Sequence, residues 1–383
     1  MTGRSPQPGA ADAPALPDYG TQSLSGVLPG VAAVLGIDTG LPAVELPAAD
    51  RVCIVLLDGL GERQLGTAAR SAPFLSRMQR RVLDAGCPTT TATSMGTFGT
   101  GLPPGSHGMA GYVVLDPDRD ELLNELRWHP DTDPLAWQPL PTVFEQLAAG
   151  GVSSIDVGNP EFDGSGLTVA AHRGAGFVGV KRLHSRVDAA VAALADPAGP
   201  RLVYLYWGEI DAAGHRHGWQ SQQWRRALRH ADREIDRLAR ALPGGTLLLV
   251  TADHGMVDAA AIDRLDLADR PDRTGGVRIV GGEPRLAQLY CQPGTADSIA
   301  AGLSAELGDK AWVVTLDEAE AAGWFGMITP RVRRRFGDVL VAARGLFTCV
   351  DSRFMTPSEL GLIGYHGSLT PNEQEIPLGV ELT

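Results

Sequence analysis

Four cysteines (Cys53, Cys87, Cys291 and Cys349) are scattered through 383 residues without a Cys-x-x-Cys pair, which argues against a disulfide framework and a thiolate zinc site alike. No apolar run approaches the roughly 20 residues that a bilayer-spanning helix needs, so no membrane partner is expected. Residues 1–17, rich in Ala, Pro and Gly, lack the uninterrupted apolar centre of a signal peptide, and the expected address is the cytoplasm. Basic residues are in deficit. With 33 Lys and Arg against 45 Asp and Glu, the net charge of −12 repels duplex nucleic acid from the molecule as a whole. A small anion held by metal ions is a different case, because a local ionic charge outweighs the distant field. No feature of the sequence specifies an oligomer.

A hydrophobic fraction of 44% and a charged fraction of 20% describe an ordinary globular protein long enough to bury a large core. From Arg51 onward, short apolar runs alternate with amphipathic segments. Strands are expected at residues 52–57, 154–157, 202–207, 246–251, 311–315 and 338–343. Residues 222–242 place Leu228, Ala231, Ile235 and Leu238 at helical spacing, with Arg and Asp on the other face. Further helices are expected at 183–194 and 296–307. Continuous Val, Leu and Ile strands alternating with helices imply an α/β fold, its mostly parallel central sheet covered by helices on both faces. In such sheets ligands bind beyond the carboxyl ends of the strands. Residues 1–48 read as a leader and extended N-terminal segment, and residues 49–383 as one catalytic domain. Within it, residues 257–345 read as an inserted cap or smaller lobe, and the basic run Arg331-Val-Arg-Arg-Arg335 as a solvated surface turn.

Acidic motifs stand at three of the expected strand ends. Asp58 follows the first strand in Leu-Leu-Asp-Gly-Leu-Gly, where glycines permit close backbone approach. Asp211-Ala-Ala-Gly-His215 places two ligand types four residues apart, on one face if the segment is helical. Asp253-His254 is followed by Gly255, a tight turn with two ligands at one sheet edge. His366, between glycines near the tail, reads in isolation as a turn histidine. Oxygen and imidazole ligands from several strand ends suit a two-metal hydrolytic site. The other histidines (His107, His129, His172, His184, His217 and His230) lack an acidic companion in such a turn and read as structural or surface groups. Between the first two acidic motifs, Cys87-Pro-Thr-Thr-Thr-Ala-Thr offers hydroxyls at Thr89, Thr90, Thr91 and Thr93. A hydroxyl at the start of the helix that follows would meet an anion where free backbone N–H groups point. A plain threonine N-cap fits as well, and composition does not choose among the four.

Taken in order, several motifs resemble the alkaline phosphatase superfamily, and within it the type I phosphodiesterase / nucleotide pyrophosphatase family. They are Asp58, the Pro-Thr-x-Thr turn, Thr100-Gly-Leu-Pro-Pro-Gly-Ser-His-Gly, Asp-x-x-x-His, Asp-His-Gly and the late Gly-x-His-Gly. The resemblance covers residues 50–258 and the tail around His366. It implies that Thr91 is the nucleophile, passing through a covalent phospho-threonine. It also implies two divalent ions, one held by Asp211, His215 and His366, the other by Asp58, Asp253, His254 and the Thr91 oxygen. Carboxylate and imidazole ligands suit Zn²⁺ best, with Mn²⁺ or Fe as alternatives. The implied substrate is a small phosphate ester or diester.

Some of the pattern is missing. Where the family has an asparagine that helps hold a phosphate oxygen, this chain has Tyr112, so Tyr112 or Asn124 is the expected substitute. No arginine accompanies the nucleophile as in alkaline phosphatases proper, and the sulfatase pattern is absent. Hydrolysis of monoesters or phosphonates on the same site is the main alternative. A catalytically silent metal- or phosphate-binding relative is a lesser one, opposed by the presence of all six ligands and the hydroxyl.

Overall fold

In a computed structural model that describes residues 13–259 and 261–383, four of the six strands predicted from apolar runs assemble side by side. The other two lie in a second sheet, and the strands at 79–84, 176–179 and 375–382 were not expected. Seven strands form the central sheet in the order Gln79–Asp84, Glu375–Leu382, Thr246–Thr251, Arg51–Leu57, Leu202–Trp207, Ser154–Gly158 and Gly176–Gly179. All point the same way except Glu375–Leu382, which runs antiparallel to both of its neighbours. The middle strand explains the apolar run. Val52 to Leu57 are fully buried, because helices cover both faces of the sheet and leave no side that could take a polar residue.

Helix Gln222–Ala241 packs Trp224, Leu228, Ala231, Ile235 and Leu238 inward, and Ser221 caps it by accepting from the Trp224 N–H. Asp232 departs from the expected polar face. It is buried, and its carboxylate accepts from the Phe74 and Leu75 N–H groups at 3.3 and 2.9 Å, the free donors that open helix Pro73–Arg77.

The first 12 residues of the expected leader lie outside the described residues. Of the rest of the segment expected to be extended, Val27–Val34 is helical, and Leu24, Val27, Leu28 and Val31 are fully buried in the main core. Within the expected insert, a four-stranded antiparallel sheet runs Val277–Glu283, Leu286–Cys291, Val339–Ala343, Ala311–Thr315. Helix Ala296–Leu307 covers it, burying Ile299, Leu303 and Leu307 in a separate apolar cluster. The basic run is not the solvated turn its composition suggests. Arg335 is buried with its guanidinium 3.5 Å from the Trp137 ring centroid, donating to the Gly108 and Trp137 carbonyls at 2.9 Å. A flat, weakly hydrated guanidinium tolerates that aromatic seat. Among the described residues no helix is long and apolar enough to cross a membrane.

Candidate metal centre

Each of the site's side chains is delivered by the end of an element. Strand Arg51–Leu57 runs into Asp58, and strand Thr246–Thr251 into Asp253-His254. Strand Leu202–Trp207 passes through Gly208 into helix Glu209–His217, which carries Asp211 and His215 one turn apart. Thr91 opens helix Thr91–Thr100. His366 arrives from 112 residues beyond His254 because Gly364–Tyr365 pairs antiparallel with Val257–Asp258. That approach is tight: a Cβ on Gly364 would stand 2.5 Å from the Gly214 carbonyl oxygen. Gly59 has φ +73°, and a Cβ there would meet the Asp211 carboxylate at 2.8 Å, so the turn after Asp58 needs glycine.

The three imidazoles are oriented alike. Nδ1 of His215, His254 and His366 lies 2.8, 3.0 and 2.7 Å from the backbone carbonyls of Gly364, Gly255 and Thr89. A carbonyl can only accept, so Nδ1 carries the hydrogen and Nε2 presents a bare lone pair inward. Those lone pairs converge. His366 Nε2 is 3.2 Å from His215 Nε2, and the Asp211 carboxylate is 3.2 Å from the former's partner and 3.9 Å from His366. His254 Nε2 is 3.5 Å from Asp58 and 3.4 Å from the outer oxygen of Asp253, and its ring stacks on His366 at 3.6 Å. One oxygen each of Asp58, Asp211 and Asp253 is buried with no hydrogen-bond partner. Lone pairs facing lone pairs and orphaned carboxylate oxygens are unfavourable by themselves; a cation satisfies both. Ligand atoms cluster within 4.8 Å of one another as Asp211, His254 and His366 and as Asp58, Asp253 and His254. The residues therefore fit divalent metal, with His254 common to the two groups.

Electrostatics agree with that fit. Burial, then the charges of Asp253 and Asp211, holds Asp58 well above the usual carboxylate range, and burial likewise raises Asp253. Burial would raise Asp211 as well, but the facing His215 outweighs it and holds Asp211 below its usual range. Burial lowers His215 in turn, and Asp211 more than offsets it, so that without an ion His215 Nε2 is the imidazole position that attracts a proton. Burial and the neighbouring His254 and His215 keep His366 neutral by lowering it well below its ordinary value.

Of the four candidate threonines, Thr91 alone turns its hydroxyl to this cluster, 3.4 Å from both Asp58 Oδ2 and His254 Nε2. Thr89 is committed elsewhere, donating to the Ser368 carbonyl and accepting from the Gly367 N–H. Thr90 is the N-cap of the helix but its side chain caps no N–H, which leaves the first-turn donors open beside Thr91. Tyr206 was not anticipated. Its hydroxyl donates to Asp58, and the signal available was only its place one residue before the end of a strand leading to Asp211.

Residues 52–369 match the model of the type I phosphodiesterase / nucleotide pyrophosphatase family. The chain belongs to this family, and so to the alkaline phosphatase superfamily. Solved structures superpose on it. Murine ectonucleotide pyrophosphatase/phosphodiesterase 5, an inactive variant in complex with AMP, aligns with a TM-score of 0.69 at 16% identity over 86% of this chain and 87% of that one. Phosphonoacetate hydrolase from Sinorhizobium meliloti 1021, in complex with phosphonoacetate, gives 0.65 at 21% identity over 88% and 91%. Among curated proteins, a phosphopentomutase of Anaeromyxobacter dehalogenans (strain 2CP-C) is 35% identical over 120 residues, 30% of this chain and 28% of its own length. Ectonucleotide pyrophosphatase/phosphodiesterase family member 7 of Homo sapiens is 38% identical over 80 residues, 19% and 18%. The matched stretch is thus under a third of either curated relative.

Two cavities flank this family site. One, of about 460 Å³, is bounded by Thr91, Asp211, His215 and His366 and then by largely apolar residues between 280 and 287 and between 349 and 365, including Val280, Phe354 and Leu362. The other, of about 450 Å³, is bounded by Asp58, Thr91, Asp211, Tyr206, Phe162 and Phe177. Tyr112 lines the first, where its hydroxyl donates to Glu359 at 3.0 Å. Asn124 lines neither cavity, and its carbonyl oxygen accepts from the Leu126 and Arg127 N–H groups at 3.0 Å. Glu283 in the first cavity escaped the sequence reading; burial pushes it up to about 8. Of the histidines set aside, His107 is buried against Thr97, and burial lowers it to about 3. His172 forms a buried pair with Asp156 at 2.8 Å beside the second cavity.

Proposed function

We propose that this protein is a two-metal hydrolase of small phosphate diesters with Thr91 as nucleophile. The observation that carries the reading is the Thr91 hydroxyl set between Asp58 and His254, next to three inward-facing imidazole Nε2 atoms and three orphaned carboxylate oxygens. Asp58, Asp253, His254 and the Thr91 oxygen would hold one ion; Asp211, His215 and His366 would hold the other. Zinc suits this mixed set best, with manganese or iron as alternatives. Bound divalent ions supply the charge that lowers the pKa of the Thr91 hydroxyl, neutralises the phosphate oxygens and activates water.

The chain's own residues do the rest. Thr91 Oγ1, having given its proton to solvent, attacks phosphorus and forms a phospho-threonine ester while the bond to the leaving oxygen breaks; that oxygen takes up a proton from solvent and departs as an alcohol. Water then cleaves the threonine ester and returns the hydroxyl. The open N–H groups of the first turn of helix Thr91–Thr100 point at the anion throughout. Tyr206 donates to Asp58 and fixes the carboxylate that faces Thr91. Two cavities meeting at Thr91 favour a phosphorus with two organic arms over a monoester with one. The four free, buried thiols suit the reducing cytoplasm.

The test is the ratio of rates on bis(p-nitrophenyl) phosphate and p-nitrophenyl phosphate with the metals of the purified protein quantified. The diester is expected to be faster. A monoester rate far above it would transfer the assignment to a phosphomonoesterase, and no turnover of either by metal-loaded protein would favour a silent relative.

A further inference from the structure

The two cavities that reach Thr91 have four lining residues in common: Thr91, Asp211, Leu126 and Arg127. Leu126 and Arg127 sit just beyond strand Glu121–Asn124, and their position is built rather than incidental. The Asn124 carbonyl oxygen accepts both of their N–H groups, and the Trp128 N–H returns to the Asn124 backbone carbonyl at 2.8 Å. Glu125, between Asn124 and Leu126, is fully buried, its carboxylate taking the Trp137 indole N–H at 2.7 Å and the Gly111 N–H at 3.2 Å. The turn is therefore anchored on both sides of the exposed pair.

Buried arginines nearby are committed to partners: Arg285 to Glu373, Arg335 to carbonyls and the Trp137 face. Arg127 is different. Among the described residues its guanidinium makes no hydrogen bond or ion pair, and it lines the first cavity together with Tyr112 and Glu359. It is, among the described residues, the only Lys or Arg lining the second cavity, and Arg216 is the only other one lining the first. Those linings otherwise carry Asp156, Glu161, Asp351 and Glu359, which would repel any anionic group on a substrate arm.

We infer that Arg127 determines specificity by pairing with an anionic group, carboxylate or phosphate, carried on one arm of the diester. The inference rests on the phosphodiesterase reading. A planar guanidinium receives either anion through two parallel N–H bonds. Asn124 then acts as a positioning residue, holding the turn from which the guanidinium extends.

Three substrates of the metal-loaded enzyme test this: 4-nitrophenyl phosphates whose second ester is phenyl, 4-carboxyphenyl or 4-phosphonophenyl. In the wild type kcat/KM is expected to be higher for the charged arms than for phenyl. Arg127→Gln should cut that charged-to-neutral ratio about tenfold, the scale of a charge-assisted hydrogen bond, mainly through KM, and Arg127→Lys should restore part of it. Carboxylate and phosphonate arms that respond differently identify which anion is read. A ratio identical in wild type and Arg127→Gln overturns the inference. If no diester is turned over, the phosphodiesterase reading fails separately. The pairing is then decided by calorimetric binding of phenylphosphonate and 4-carboxyphenylphosphonate, where an unchanged affinity ratio in Arg127→Gln refutes it.

Discussion

Replacing Asp253 by Asn should stabilise the protein without metal and destabilise it with metal. Asp253 is fully buried, its inner oxygen accepts from the Gly59 and His254 N–H groups at 3.0 Å, and its outer oxygen has no partner. Asparagine keeps the inner acceptor and puts an amide where the orphaned oxygen faces Asp58. Removing an unsatisfied buried acceptor is worth about 1–3 kcal/mol. For 383 residues the unfolding entropy is roughly 0.8 kcal/mol/K, so chelated Asp253→Asn should melt about 1–4 °C higher than chelated wild type.

With metal the sign reverses. An ion at 1,000 times its Kd stabilises by about 4 kcal/mol, or roughly 5 °C on the same entropy, and the amide variant forfeits most of that gain. Differential scanning fluorimetry with and without chelator, with elemental analysis of each sample, reads both signs. A chelated variant that melts below chelated wild type, with an undiminished metal increment, would refute the reasoning.

The same burial gives a pH dependence. Asp58 and Asp253 bind a proton more readily folded than unfolded, so their contribution is full below the ordinary carboxylate range, near pH 4, and is lost as pH rises through the raised folded values. Metal-free wild type should therefore lose melting temperature as pH climbs above that range, and Asp253→Asn should flatten the slope; equal slopes would count against it. Thr91→Ala should lower turnover by about 10³-fold or more with metal content intact, and full activity would move the role to another hydroxyl. Gly59→Ala forces a Cβ against Asp211 at 2.8 Å and should lower bound metal in elemental analysis; unchanged stoichiometry contradicts it. Arg285→Leu leaves Glu373 buried and unpaired, both residues being fully buried, and should cost about 3–5 kcal/mol in denaturant unfolding, whereas a loss under 1 kcal/mol would show the pair is dispensable.

The apolar runs located the strands well. Residues 202–207, 246–251 and 311–315 are strands at the bounds expected, because a strand buried on both faces must be continuously apolar and such runs end where burial ends. The turns that carry the candidate site were readable for the same reason: Asp58 and Asp253 follow apolar runs directly, and Asp211 follows one within four residues, each a charge at a strand end. Less could be read where a residue's role depends on distant chain. Arg335 looks like part of a surface run until Trp137 is seen beneath it, and Asp232 looks exposed until helix Pro73–Arg77 presents its N–H groups. Tyr206, Glu283 and Arg127 carry no motif, and their relation to the site exists only through folding.

Local chemistry thus determined the strand order of polar and apolar residues, the acidic turns and the presence of a hydroxyl near a helix start, since each depends on neighbours within a few positions. The tertiary structure decided which of four threonines meets Asp58 and His254, brought His366 to them through the Val257–Tyr365 pairing, and set Arg127 between two cavities. Those outcomes depend on contacts between residues tens to hundreds of positions apart, which no periodicity or spacing along the chain encodes.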